Sequence, residues 1–284
     1  MAETSFTKWF DEAFGDEGTK FGVAIKEKCH EEQTPYQKLE IYKTETFGNL
    51  MVLDGCFMVT TRDNFLYHEM MSHPVLFTHP APKRVVVVGG GDCGTLREVL
   101  KHSSVEEACQ VEIDERVTRL SEEYFPELCE SNNDPRAKFY FEDAAAWIKN
   151  QPDASIDVLI IDSTDPIGPA EQLFGPAFLA EAYRTLSKDG IIVQQSESPL
   201  LHADTIIADL EAKLTGAGFK HPQQVLFPQP SYPSGWWSAT MAQKSEAPLA
   251  PRYDAIEAKE FKTQYYNRAI HDAALARPEF MKRK

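Results

Sequence analysis

Apolar residues change their spacing near residue 80. Before it, short stretches at 21–28, 36–43 and 50–60 read as strands. In the second, Gln37, Leu39 and Ile41 fall on one side and Lys38, Glu40 and Tyr42 on the other, the two-residue period of a strand. Phe47-Gly48-Asn49 and Asp54-Gly55 supply turn chemistry. Asp63 is placed to cap a helix carrying Phe65, Leu66, Met70 and Met71, with Pro74 disturbing it. From Lys83 onward the pattern becomes β-α-β-α: apolar strands at 84–88, 109–113, 138–141, 158–161 and 191–194. Helices are expected between them at 95–101, 115–124, 144–149 and 178–186, then at 203–214, with strand pieces near Val225 and Ala239 closing the series. Short apolar strands alternating with amphipathic helices argue for a parallel sheet covered on both faces. The expected fold is α/β: a small N-terminal β domain with a linking helix over residues 1–80, followed by a doubly wound domain over 81–284.

Composition narrows the class. With 284 residues, 42% apolar and 26% charged, the chain is large enough for a real core and unlike disordered or fibrous sequences. Its formal charge of −15 repels nucleic-acid phosphates and anionic lipid and tolerates cationic ligands. Neither a nucleic acid nor a membrane is expected as partner. Five cysteines, without C-x-x-C spacing, fit a reducing compartment better than a disulfide scaffold or zinc ribbon. No basic-then-apolar leader and no long apolar run occur, so a cytoplasmic protein is expected.

Candidate chemistry begins at Val85-Val-Val-Val-Gly89-Gly-Gly91-Asp92-Cys93-Gly94, a G-x-G-x-x-G turn between strand and helix. Such turns bring backbone close to a ligand at a helix N-terminus, or simply make a tight corner. Glu112, 18 positions after Gly94, stands about where an acid grips a ribose diol, and Glu142-Asp143 ends the third strand, where a carboxylate can accept from an adenine amino group. Strand-end solvation is the plain alternative for each acid. Dinucleotide enzymes and adenosyl-sulfonium enzymes share this layout. Asp92 separates them, because a carboxylate inside the turn opposes a pyrophosphate and suits an ammonium or sulfonium.

Asp162-Ser-Thr-Asp165-Pro-Ile-Gly-Pro169 follows an apolar strand at the edge where open sheets bind ligands. Paired carboxylates there suit a basic amine; a turn with capping carboxylates explains the string equally well. An amine of lysine type costs about 4–5 kcal/mol to deprotonate at pH 7, so an adjacent carboxylate that takes the proton during attack is useful. Tyr67-His68-Glu69-Met-Met-Ser-His73 resembles a zinc-binding H-E-x-x-H helix, but its histidines are one residue too far apart and diverge by roughly 140°. No metal site is expected. Tyr67 and His68 either line a pocket or are half-buried helix residues. Tyr232-Pro-Ser-Gly-Trp-Trp237 offers aromatic faces to an alkylammonium or to the core, and Trp9 either lids a site or packs.

Together with Tyr36-Gln37, Leu53-Asp-Gly55 and Tyr265-Tyr-Asn267, these strings resemble the polyamine aminopropyltransferases, closest to the putrescine-using members, over nearly the whole chain. The resemblance implies an N-terminal β domain followed by a methyltransferase-like Rossmann domain. It implies transfer of an aminopropyl group from decarboxylated S-adenosylmethionine, a co-substrate, to putrescine, giving spermidine and methylthioadenosine, with no other cofactor. It implies that Asp162 accepts the proton and Asp165 binds the amine, with Tyr67, Gln195 and Tyr232 lining the amine channel and Trp9 near its mouth. Gln37, Glu112, Asp143, Ala144 and Pro169 would hold the adenosyl part, while His68 and Asp92 would face the aminopropyl arm. Asp92 would also repel the carboxylate of the intact donor. A homodimer or homotetramer is implied as well. Departures from the family pattern are Cys93 for Gly, Met58 for Gln, Asp63-Asn64 for Asp-Glu, Asp143-Ala144 for Asp-Gly, and the 227–231 loop. A methyltransferase would not need Asp92 beside Asp162 and Asp165; a dehydrogenase would not tolerate Asp92; an amine sensor would not need Asp162.

Overall fold

The structure, a computed structural model, describes residues 6, 8–14, 18–164 and 168–282. Five strands form the first sheet in chain order: β1 (Trp9–Phe14), β2 (Thr19–Gln33), β3 (Lys38–Thr44), β4 (Asn49–Leu53) and β5 (Cys56–Thr60), all antiparallel. The stretch 50–60 divides into two strands because Asp54 and Gly55 both take positive φ, the requirement of a two-residue hairpin turn. Both faces of this sheet are covered. Leu39, Ile41 and Met51 pack with Leu120 and Phe125 of the second domain, while Tyr42, Leu50 and Val52 pack with Val23 and Phe57.

Helix α1 (Asn64–Thr78) leads into the second unit: β6 (Arg84–Gly89), α2 (Gly94–Leu100), β7 (Glu107–Glu112), α3 (Glu115–Tyr124), β8 (Ala137–Phe141), α4 (Ala144–Lys149), β9 (Ile156–Asp162), α5 (Pro176–Thr185) and β10 (Leu186–Gln195). It continues with α6 (Pro199–His202), α7 (Ile206–Gly216), β11 (Lys220–Pro228), β12 (Trp236–Gln243), α8 (Tyr253–Glu257) and α9 (Arg268–Leu275). The sheet order is β11-β12-β10-β9-β6-β7-β8, parallel from β10 to β8, with β12 antiparallel to both its neighbours. Strand runs look continuously apolar because alternate residues serve opposite faces: Val85 and Val87 join one core, Val86 and Val88 the other.

Local expectations change at several points. Helix α1 packs into the core beneath the second sheet through Met70, Met71, Val75 and Leu76. It also runs unbroken through Pro74; burial on nearly every side outweighs the missing N–H, and the Thr78 hydroxyl donates to the Pro74 carbonyl at 2.7 Å. Asp63 makes no side-chain cap on α1, its carboxylate instead accepting from the Thr60 hydroxyl and from the Ser231 N–H. The expected 203–214 helix begins later, as α7 from Ile206, with the short α6 ending ahead of it at His202; β1, α6, α8 and α9 have no counterpart in the sequence reading.

Candidate active site

The chain lays β6, β7 and β8 outward in one direction, then returns to place β9 on the other side of β6. Open sheets bind ligands at such a reversal, at the C-terminal strand ends. Here those ends are Gly89 and Asp162, which lie side by side in register.

The glycine turn is shaped by its neighbours. The Gly90 N–H donates to the Asp162 carbonyl at 2.7 Å, and the Gln110 amide donates to the carbonyls of Gly89, at 2.6 Å, and Gly90. A Cβ at Gly89 would strike the Asp162 carbonyl; at Gly91 it would stand 2.8 Å from a Glu112 oxygen; at Gly94 it would enter the His68 ring. These glycines therefore admit the protein's own acids and imidazole as well as any ligand. Cys93 takes φ of 69°, a left-handed conformation that glycine adopts without strain.

Two carboxylates at this turn are shifted in opposite directions. Asp92 accepts the Gly94 N–H at 2.7 Å and meets His68 Nε2 at 3.1 Å. Burial alone would raise its pKa, but the His68 charge, its hydrogen bond and the Gly94 N–H bring it below the ordinary value. His68, likewise buried, is pulled up by Asp92 against the burial that opposes its charge. Asp162 goes the other way: burial first, and then the charge of Asp92, raise it, partly offset by His68 and by two hydroxyl donors. Those donors are Tyr67 to Oδ1 at 2.7 Å and Thr95 to Oδ2 at 2.6 Å. Neighbouring acids whose proton affinities are shifted in opposite directions are an arrangement suited to acid–base chemistry.

One cavity reaches across both units. Its wall includes Gln37, Asp92, Glu112, Asp143, Ala144 and Asp162, together with Tyr67, Gln195, Tyr232 and Trp237. Glu112 is pushed up to about 7 by burial and by the charges of Asp114 and Asp162, against the pull of the Asp114 and Ile113 N–H groups. Asp143 caps α4 through the Ala145 N–H and accepts from Gln172, while the Gln37 amide donates to Asp114. Tyr232 stacks edge-on against Tyr67 and Trp237, and its hydroxyl donates to the Met58 carbonyl of β5, joining the two units across the cavity.

Not every expected residue arrives there. Trp9 is 48% exposed on the edge strand β1 and does not line the cavity; strand alternation turns it outward and turns Glu12 inward. His68 stands behind Asp92 and not on the cavity wall. Asp165 lies outside the described residues, and of Pro169 only the backbone is described, in the 3₁₀ turn Gly168–Phe174. His68 and His73 meet different partners, Asp92 and Glu98 respectively. Sequence reasoning missed Glu12, a buried cavity acid whose signal was an acid on the inward phase of Phe10, and Thr95, which carried no signal.

Comparison with known proteins follows the same lines. A family model described as "Spermine/spermidine synthase domain" matches residues 64–253, and one described as "Spermidine synthase tetramerisation domain" matches residues 8–61. A polyamine aminopropyltransferase of Methylococcus capsulatus is 60% identical over 272 residues, 96% of this chain and 95% of the relative. One from Alkalilimnicola ehrlichii is 57% identical over 274 residues, 96% of each. A crystal structure of spermidine synthase in complex with the transition-state analogue AdoDATO superposes with a TM-score of 0.91 at 32% identity, covering 98% of this chain and 96% of that one. With fold, cavity and near-full-length likeness in agreement, the chain belongs to the spermine/spermidine synthase family of polyamine aminopropyltransferases.

Proposed function

We propose that this aminopropyltransferase uses decarboxylated S-adenosylmethionine as donor and putrescine as acceptor, releasing spermidine and methylthioadenosine. The observation that carries the reading is one cavity with an ionised Asp92, an Asp162 whose affinity for protons is raised, and Glu12 entering from the first sheet. The acceptor nitrogen attacks the propyl carbon bound to sulfur. As the C–N bond forms, the C–S bond breaks with its electron pair going to sulfur, and a proton leaves the nitrogen for Asp162. Asp92, kept ionised by His68, receives the donor's terminal ammonium; a donor that kept its carboxylate would be repelled there. Glu112 takes the ribose hydroxyls, Asp143 the adenine amino group, and Gln37, Ala144 and Pro169 the rest of the adenosyl group. Tyr67, Gln195 and Tyr232 line the acceptor channel, Asp165 binds the reacting amine, and Glu12 takes the distal ammonium. No metal or prosthetic group takes part.

The assembly proposed is a homodimer or homotetramer formed through the first sheet, whose edge strand carries the exposed Trp9. A cytoplasmic setting fits five free cysteines. No helix among the described residues is long and apolar enough to cross a membrane. Incubation with decarboxylated or intact donor and a panel of putrescine, cadaverine and spermidine, with methylthioadenosine detected, tests the reading. Product is expected with the decarboxylated donor and fastest with putrescine, and Asp162→Asn is expected to keep donor affinity while turnover falls by about 10²-fold or more. Preference for spermidine, or near-parent turnover of Asp162→Asn, refutes the acceptor or the base respectively.

A further inference from the structure

Two hydroxyls from different helices hold the Asp162 carboxylate. Tyr67 donates from α1 to Oδ1 and lines the cavity. Thr95, the second residue of α2, donates to Oδ2 from behind; it is fully buried and no part of the cavity wall. Gly90 closes the same side, since a Cβ there would stand 2.7 Å from Oδ2. Oδ2 is thus committed to the turn, and Oδ1 shares the cavity side with Tyr67.

We propose that Thr95 is a positioning residue for the transfer: its hydroxyl fixes Oδ2, leaving Oδ1 to receive the amine's proton, and sets the pH at which Asp162 becomes a base. The inference rests on Asp162 being the proton acceptor. A hydroxyl donor stabilises a carboxylate more than a carboxylic acid. The charged and titratable groups facing Asp162 are Tyr67 and His68 from α1, Asp92 from the turn and Glu112 from β7. Asp92 and Glu112 disfavour its ionisation; His68, Tyr67 and Thr95 favour it. Among these, Thr95 carries no charge and touches no cavity space, so changing it alters Asp162 without altering ligand contacts.

The test has two readouts. Protein labelled with ¹³C at aspartate carboxyls is titrated by NMR, with Asp162→Asn identifying the resonance. Thr95→Val, which removes the hydroxyl at nearly constant shape, is expected to raise the Asp162 midpoint by about one pH unit, and Thr95→Ser to restore it. An unmoved midpoint in Thr95→Val, or an equal shift in Thr95→Ser, overturns the proposal; Thr95→Ala serves the same titration should the valine variant not fold. In steady state the acid limb of kcat is expected to move up with the midpoint, while the donor KM stays within about twofold. A midpoint that moves with a stationary limb removes Asp162 as the proton acceptor, and with it the catalytic meaning of Thr95.

Discussion

Asp92, Asp162 and Glu112 are three acids around one cavity, and their neighbours give each a different affinity for protons. Glu112 has the most direct consequence. Its value near 7 belongs to a buried carboxylate without a ligand. In the proposed donor site ribose hydroxyls would donate to it and favour the ionised form, so binding is expected to expel its proton. Methylthioadenosine, which is uncharged at the sulfur, isolates this effect from the donor's cations. Calorimetry in two buffers of different ionisation enthalpy is expected to show release of about half a proton at pH 7, falling to none above about pH 8.5. Affinity is expected to weaken as the pH drops below 7. Proton uptake on binding, or a release that persists in Glu112→Gln, would remove Glu112 from the ribose site.

At the scale of elements, α1 does more than link two units. Tyr67 reaches Asp162, and His68 holds Asp92. Glu69 turns to the other side and accepts three backbone N–H groups, from Gln264, Tyr265 and Tyr266, at 2.7–2.9 Å. One buried carboxylate thereby fixes the bend ahead of α9, satisfying donors that no strand partner reaches. Replacing it by alanine leaves those donors unpaired, the Tyr266 N–H of them buried, at a cost of about 3 kcal/mol. For Glu69→Ala we expect a lower urea midpoint and earlier proteolytic cutting between α8 and α9. A variant with the parent's midpoint and protease resistance would show that packing of Tyr266, and not the carboxylate, holds the segment.

For the whole molecule, buried histidines lower stability as the pH falls through the histidine range. Burial holds His79 and His102 below the ordinary value and His271 at about 4. An unfolded histidine binds its proton near pH 6.5, so below that the unfolded chain takes up protons that the native chain refuses, and stability falls with pH. His68, raised by Asp92, has the opposite sign: its contribution is complete below pH 6.5 and fades as pH rises through its folded value. The raised carboxyls of Glu112 and Asp162 also favour the native state on the acid side. His271→Gln isolates one group. Between pH 7 and pH 5 the parent is expected to lose about 2 kcal/mol more than this variant, measured by urea unfolding at both values. Equal losses would refute the burial of a neutral His271.

Local pattern settled much of this protein. The apolar runs that became β6, β7, β9 and β10, the glycine turn, and the acids ending three strands were legible because strand burial, turn geometry and strand-end chemistry depend on residues adjacent in the chain. So was the cavity membership of Tyr67, Asp92, Glu112, Asp143, Asp162, Gln195 and Tyr232, through the order of the motifs. Tertiary structure alone decided the rest. The direction of β12, the outward turn of Trp9, the inward turn of Glu12, the place of His68 behind Asp92, and the grip of Thr95 on Asp162 all depend on which elements meet. Thr95 and Asp162 are separated by two complete β-α units, and only the pairing of β6 with β9 brings them together. A sequence specifies periods and side-chain chemistry; distance between remote residues emerges only when the sheet order closes.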